Sequence, residues 1–229
     1  MESSYAINEL GPRYLAQASA QIGATILHIS TDYVFEGNKQ GCYSETDVTN
    51  PQGVYGLSKL AGEKAVIAEN AKHIILRTAW VFGEQGNNFV KTMLRLGAGR
   101  EALSIVGDQF GGPTYAKDIA ATLINIMMQL AENTAEVDEN KYYGIYHYSG
   151  LPHVSWYEFA RTIFAKAQEQ KVLDSIPTLC SISTAEYPTP AKRPTNSTMN
   201  TSKITDTFSI QASNWTTALD NLQVYKDKG

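Results

Sequence analysis

The sequence predicts an α/β protein with a parallel sheet and right-handed crossovers, and three observations carry that prediction. Short apolar runs of buried-strand length alternate with amphipathic stretches of ten or more residues. Polar or glycine-bearing turns separate them. The chain has 229 residues, 43% of them hydrophobic and 18% charged, enough to bury a sizeable core.

The elements follow in order. Ile7, Leu10, Tyr14, Leu15 and Ala18 fall at helical spacing, so the first twenty residues read as a helix. Gly23 ends it, and Ala24–Ser30 is a strand-length apolar run followed by polar loop to about Gly53. Tyr55–Ala71 reads as helix, Ile74–Val81 as strand, Asn87–Leu96 as helix, Leu103–Val106 as strand and Ala116–Leu130 as helix. Ala131–Lys141 is polar and acidic, a surface loop, and Tyr142–Tyr148 is strand-like. Ser155 caps a helix running to about Gln168, and Pro177–Pro194 reads as irregular and proline-rich. A last helix follows the cap Ser213, with Trp215, Leu219 and Leu222 on one face. Composition shifts towards loops from about Pro113. The expected division is residues 1–130 as a partial nucleotide-binding domain and 131–229 as mainly a substrate-binding region.

Charge and composition exclude several classes. A formal net charge of -4 with no basic run gives no electrostatic footprint for nucleic acid or anionic lipid. No apolar stretch approaches the ~20 residues of a membrane helix. MESSYAINEL has neither the basic nor the apolar region of a secretory signal. Cys42 and Cys180 make neither a disulfide framework nor a zinc cluster, which fits a reducing cytoplasm.

The most informative spacing is Tyr55-Gly56-Leu57-Ser58-Lys59. Positions i and i+4 share a helix face, so phenol and ammonium project into the same space. A lysine charge there is expected to lower the phenol's pKa, as a proton-relay tyrosine requires. Alone the spacing is weak, since an exposed helical pair looks the same. Its context strengthens it. The strand Ala24–Ser30 runs into Thr31-Asp32-Tyr33-Val34-Phe35, and the next strand ends in Arg77-Thr78-Ala79-Trp80-Val81-Phe82-Gly83. Thr31, Tyr55, Lys59 and Trp80 therefore meet at the carboxyl edge of a parallel sheet, where open α/β folds bind ligands.

STDYVF, YGLSK followed by Leu60-Ala61-Gly62-Glu63, RTAWVFG, Gly86-Asn87-Asn88-Phe89 and Gly111-Gly112-Pro113-Thr114 together resemble the extended short-chain dehydrogenases/reductases. More narrowly they are similar to the dTDP-4-dehydrorhamnose reductases, as are Ser155–Phe159 and Tyr187–Pro194. The resemblance covers nearly the whole chain. It implies a Rossmann-like parallel sheet with helices on both faces and a small C-terminal substrate-binding region. It implies NAD(P)H-dependent reduction of the C4 keto group of dTDP-4-dehydro-6-deoxy-L-mannose to dTDP-L-rhamnose. Tyr55 would be the general acid, and Lys59 would hold the nicotinamide ribose, with Ile29 beside it in the cofactor site. Thr31 would bond the reacting oxygen and the phenol. Asp32 would line the sugar site with it, Trp80 would pack against the sugar, and Arg193 would meet the diphosphate. Asn8 is similar to an asparagine that completes a proton relay, and reads equally well as an ordinary polar helix position. NADPH and NADH both remain open as cofactor. The expected partner is the dTDP-sugar, with a second copy of the chain left open, and neither nucleic acid nor membrane.

The sequence departs from the family at its start. The family opens with a strand and a glycine-rich turn that cradles pyrophosphate, and no such turn precedes Thr31 here. Gly97-Ala98-Gly99-Arg100-Glu101-Ala102 matches the glycine pattern but follows a helix and precedes a strand, the reverse of the required order. The expectation is that the family's first strands, about 60–70 residues, are missing. Whether the chain as written binds cofactor is left open.

Other chemistries fare worse. His28, His73, His147 and His153 are scattered without metal-ligand spacing, no serine lies in a G-x-S-x-G elbow, and Asp118 suits a helix first turn. The alternative reading is a non-catalytic binding subunit of the same fold, like the regulatory subunit of methionine adenosyltransferase, or an inactive fragment. A binding module has no need of a poised phenol.

Overall fold

A computed structural model of the chain describes residues 2–132, 142–189 and 193–225. Most of the acidic stretch expected to be a surface loop, residues 133–141, lies outside them.

The first helical stretch is three pieces: α1 (Glu2–Tyr5), a π turn (Ala6–Leu10) and α2 (Gly11–Gln21). Pro12 explains the break. It has no N–H for the carbonyl of Asn8 four residues back, and its ring clashes there. The turn widens, Gly11 N–H bonds Ala6 O, and the Asn8 carbonyl is released towards α3 (Val54–Glu69). A Cβ on Gly62 would stand 1.9 Å from that carbonyl, so only glycine lets the helices approach this closely. The five apolar residues at helical spacing here, Ile7, Leu10, Tyr14, Leu15 and Ala18, are all exposed, and the buried contact is Ala16, which that spacing leaves out.

β1 (Ile26–Thr31), β2 (His73–Thr78) and β7 (Gly144–His147) form the central sheet in the order β1-β2-β7, all parallel. One face carries Ile26, Ile75 and Ile145 against Ala16 and Val66 of α2 and α3. The other carries Ile74, Leu76 and Tyr146 against Ile119 and Ile126 of α5 (Ala116–Glu132) and Ile204 and Phe208 of α7 (Ser202–Phe208). Helices on both faces of a parallel sheet match the expected fold class.

Between β2 and β7 the chain builds β3 (Val81–Phe82), α4 (Phe89–Gly97), β4 (Ala102–Val106), β5 (Phe110–Gly111) and β6 (Thr114–Tyr115). After β7 come β8 (Gly150–Leu151), β9 (Val154–Ser155), α6 (Trp156–Glu169), β10 (Thr178–Ile182), β11 (Asn196–Ser197), β12 (Ser213–Asn214) and α8 (Trp215–Ala218). Pairing crosses residue 130 in both directions: β7 joins the central sheet, β10 pairs with β4, and β11 pairs with β5. A second core forms around Phe82, Val90, Phe159, Phe164, Trp215 and Leu222. The glycine pattern at Gly97 closes α4, and a Cβ there would strike the Phe164 ring at 2.4 Å.

Two expectations on the C-terminal part are corrected. Pro177–Pro194 is not wholly irregular, since Thr178–Ile182 is a parallel strand on β4. The last helix is one turn, Trp215–Ala218, followed by a 3₁₀ turn at Leu222–Tyr225. Ser213 does not cap it: Asn214 stands at the N-cap with no side-chain bond, and the Ser213 hydroxyl accepts the Tyr115 N–H at 3.3 Å while donating to Asp118 Oδ2 at 2.6 Å.

The loop after β1 is organised by one side chain. Tyr43 is 4% exposed and stacks on Phe35 with ring centroids 4.3 Å apart. Its hydroxyl accepts the backbone N–H groups of Gly37, Asn38 and Lys39 at 2.9, 3.0 and 3.1 Å. Gly37, at φ +84, lies against Pro194, where a Cβ would be 2.5 Å from that ring. The loop thereby seats the segment carrying Arg193.

Candidate active site at the carboxyl edge of the sheet

β1 ends at Thr31, opposite Thr78 of β2. The Thr31 hydroxyl donates to Asp32 Oδ1 at 3.0 Å and accepts the Tyr33 N–H at 3.2 Å, capping a 3₁₀ turn. α3 starts against this turn. A Cβ on Gly56 would be 2.2 Å from the Tyr33 carbonyl, so glycine beside Tyr55 permits the contact. The Tyr33 and Tyr55 rings meet edge to face at 5.7 Å. Tyr55 remains 52% exposed, with the Thr31 side chain near enough to act on its phenol.

The electrostatics differ from the expectation built on the i, i+4 spacing. Burial raises the Tyr55 phenol, the Thr31 side chain opposes that, and Asp32 adds to it. Lys59 does not lower it. The ammonium leans instead onto the end of β1, donating to Ile29 O at 2.6 Å. Burial also pulls Lys59 down, and the Glu63 carboxylate opposes this.

Asp32 stands behind Thr31 and does not line an open site. It is 4% exposed, and its other oxygen accepts from Ser197 of β11 at 2.5 Å. Burial pushes its carboxyl up to about 6 despite these hydrogen bonds. Asn8 reaches the site indirectly. Its amide donates to Ser58 Oγ at 3.0 Å, and Ser58 donates to the Tyr55 carbonyl at 2.9 Å.

A cleft of about 430 Å³ opens beside these groups, lined by Tyr33, Glu36, Gln52, Tyr55 and Arg193 among others. The Arg193 charge is felt at the Tyr33 phenol, which it lowers against burial. Trp80 is not in this lining. It adopts φ 49, a left-handed conformation that costs a bulky residue about 1–3 kcal/mol. Its ring lies flat on Trp156, centroids 3.5 Å apart and planes at 9°. Gly111 makes room, since a Cβ would meet the Trp80 ring at 2.4 Å. The structure thus brings Thr31, Tyr55, Lys59 and Ile29 together, with Arg193 across the cleft, and holds Trp80 in an indole stack.

Sequence reasoning missed Ser197, Tyr33 and the Trp156 side of that stack. Tyr33 had a local signal, an aromatic between the hydroxyl pair and the helix. Ser197 had none, being 165 residues from Asp32.

A parallel sheet with helices on both faces and Thr31, Tyr55 and Lys59 at its carboxyl edge puts the chain among the Rossmann-like α/β proteins, whose ligands bind at that edge. Comparison with known proteins then narrows this. Residues 1–225 match the family described as RmlD substrate binding domain, and the chain belongs to that family. It is 52% identical to the dTDP-4-dehydrorhamnose reductase of Aggregatibacter actinomycetemcomitans, over 99% of this chain and 76% of the relative. Identity to the enzyme of that name from Escherichia coli K12 is 41%, over 93% of this chain and 70% of the relative. Among solved structures, a dTDP-4-dehydrorhamnose reductase from Clostridium acetobutylicum superposes with a TM-score of 0.83 at 38% identity, covering 94% of this chain and 71% of that one. One from Bacillus anthracis in complex with NADP gives 0.81 at 36%, covering 97% and 73%. Among the described residues, no helix is long and apolar enough to cross a membrane, and no His/Cys/Asp/Glu cluster could hold a metal ion.

Proposed function

We propose that the chain acts as an NADPH-dependent reductase of dTDP-4-dehydrorhamnose, converting the C4 keto group to the hydroxyl of dTDP-L-rhamnose. The observation that carries the reading is the meeting of Thr31 at the end of β1 with Tyr55 and Lys59 on one face of α3, at the sheet's carboxyl edge, in a chain whose close relatives bear that enzyme's name. On this reading the reaction is a cytoplasmic one. Residues 1–130 supply the Thr/Tyr/Lys group and residues 131–229 mainly the substrate side.

The donor set suits the nicotinamide end of the cofactor. Lys59 spends one N–H on Ile29 O, leaving two donors for a ribose diol. When bound, the reduced nicotinamide supplies the hydride. Tyr55 gives its phenolic proton to the C4 oxygen as charge develops there, and burial keeps that phenol protonated until it is needed. Thr31, whose one hydroxyl proton goes to Asp32 Oδ1 in the free chain, turns that proton to the same oxygen, while Ser197 keeps Asp32 in place. Arg193 takes the diphosphate, its planar fork suited to two oxygens at once. Trp80, fixed by Trp156, forms a wall for the deoxysugar.

The test is titration of the chain with NADPH and separately NADH, followed by turnover with dTDP-4-dehydrorhamnose. Tyr55→Phe should bind cofactor and substrate normally and lose about 10²–10⁴ in kcat. Unchanged turnover in Tyr55→Phe would remove the phenol from the mechanism.

A further inference from the structure

Glu63 and Arg77 form a bidentate ion pair, Nε to Oε1 at 2.9 Å and Nη2 to Oε2 at 2.7 Å, with side chains 1% and 3% exposed. A buried pair of this kind is poor evidence of stabilisation, since apolar residues of similar volume often serve as well. Its location suggests another use. Tyr55, Lys59 and Glu63 stand at i, i+4 and i+8 on α3 and share a face. Lys59 is tied to the end of β1, and Glu63 to the middle strand of the sheet through Arg77.

The other groups facing this stripe are charged elsewhere or neutral. On β1, His28 is held neutral, pulled down to about 4 chiefly by burial and then by Lys59 itself. On β7, His147 is the register partner of Arg77 and is pulled down to about 3 by burial and by that guanidinium. After β1, Asp32 acts on Tyr55. The π turn and α2 offer Asn8, bonded to Ser58, and the Glu9–Arg13 pair closed on itself at 2.8 Å. Glu63 is the carboxylate that acts on Lys59.

We propose that Glu63 is a positioning residue for Lys59: fixed by Arg77 one helical turn along α3, its carboxylate holds the ammonium charged and against the end of β1. The importance of that charge rests on the reductase reading above. The charge itself can be tested without cofactor or turnover.

The experiment is a pH titration of Lys59 in the full chain by NMR of ¹³Cε-labelled lysine, the signal assigned by its loss in Lys59→Arg. Glu63→Gln alone strands a buried guanidinium and can unfold the chain. The deciding variant is therefore Glu63→Gln/Arg77→Met, which removes both charges and keeps the space filled. The Lys59 midpoint is expected to shift downward in that variant, with Lys166, on α6 and paired to Asp220, unmoved. Glu63→Asp, which keeps the charge, should keep the parental midpoint. A folded double variant with an unshifted Lys59 would overturn the proposal, because a pair that merely braces α3 would leave the titration in place.

Discussion

Tyr43→Phe deletes one oxygen and keeps the aromatic stack on Phe35, so it isolates the hydroxyl that gathers Gly37, Asn38 and Lys39 N–H. The Gly37 bond is buried, and the other two are partly so. One stranded buried donor costs about 1–3 kcal/mol, and two that regain water in part add roughly 0.5 kcal/mol each. The expected loss is about 2–4 kcal/mol, which for a chain of this size lowers Tm by roughly 5–15 °C. Thermal unfolding followed by circular dichroism measures it. A second effect should accompany the first. Gly37 backs Pro194, so a loosened loop frees Arg193, and KM for the dTDP-sugar should rise while kcat changes little. A Tm within ~2 °C of the parent would refute the reasoning, showing that the three donors find other partners at no cost.

Gly56→Ala should push α3 from the Tyr33 carbonyl, because a Cβ would stand 2.2 Å from a backbone atom that cannot swing aside. A displacement of Tyr55 on that scale should lower kcat by roughly 10²-fold, read by steady-state kinetics on a variant shown to be folded. Acid should destabilise the fold. His28 and His147 have native values near 4 and 3 against 6.5 unfolded, so the unfolded chain takes up protons first as pH falls below 6.5. Asp32, raised from 3.8 to about 6, acts in the opposite sense between those values. The net expectation is a loss of about 2–3 kcal/mol from pH 7 to pH 5, seen as a lower urea midpoint and reduced in His147→Gln. A midpoint equal or higher at pH 5 would show that the histidines are not held neutral.

The parts of the fold that could be read from sequence are those whose signals are local. Ser155 and Glu158 form the capping box that starts α6, and Ala24–Ser30 is apolar enough to be β1 and little else. β10 escaped because Thr178–Ile182 is mostly exposed on an edge, with polar Ser181 and a preceding proline masking its periodicity. The last helix was over-read because Trp215, Leu219 and Leu222 are all buried as their spacing implies, while the backbone between them turns rather than coils. At the candidate site, the spacing places Tyr55 and Lys59 on one face of a helix and Thr31 at the end of a strand, and the structure has them there. The spacing does not give the direction of the Tyr55 shift, because it depends on where Lys59 Nζ goes, and a β1 carbonyl claims it. Ser197 could not be inferred at all, since tertiary contact alone brings it to Asp32.

The indole pair has an optical consequence. Of the three tryptophans, Trp80 and Trp156 lie face to face at 3.5 Å while Trp215 sits apart against Phe159. Parallel indoles this close share their electronic transitions, so the pair is an exciton-coupled chromophore joining the end of β2 to the start of α6. Its near-ultraviolet dichroism gauges the registry of those two elements, without a label and against the third indole as an internal reference. Any ligand that slides one ring across the other writes its arrival into that spectrum.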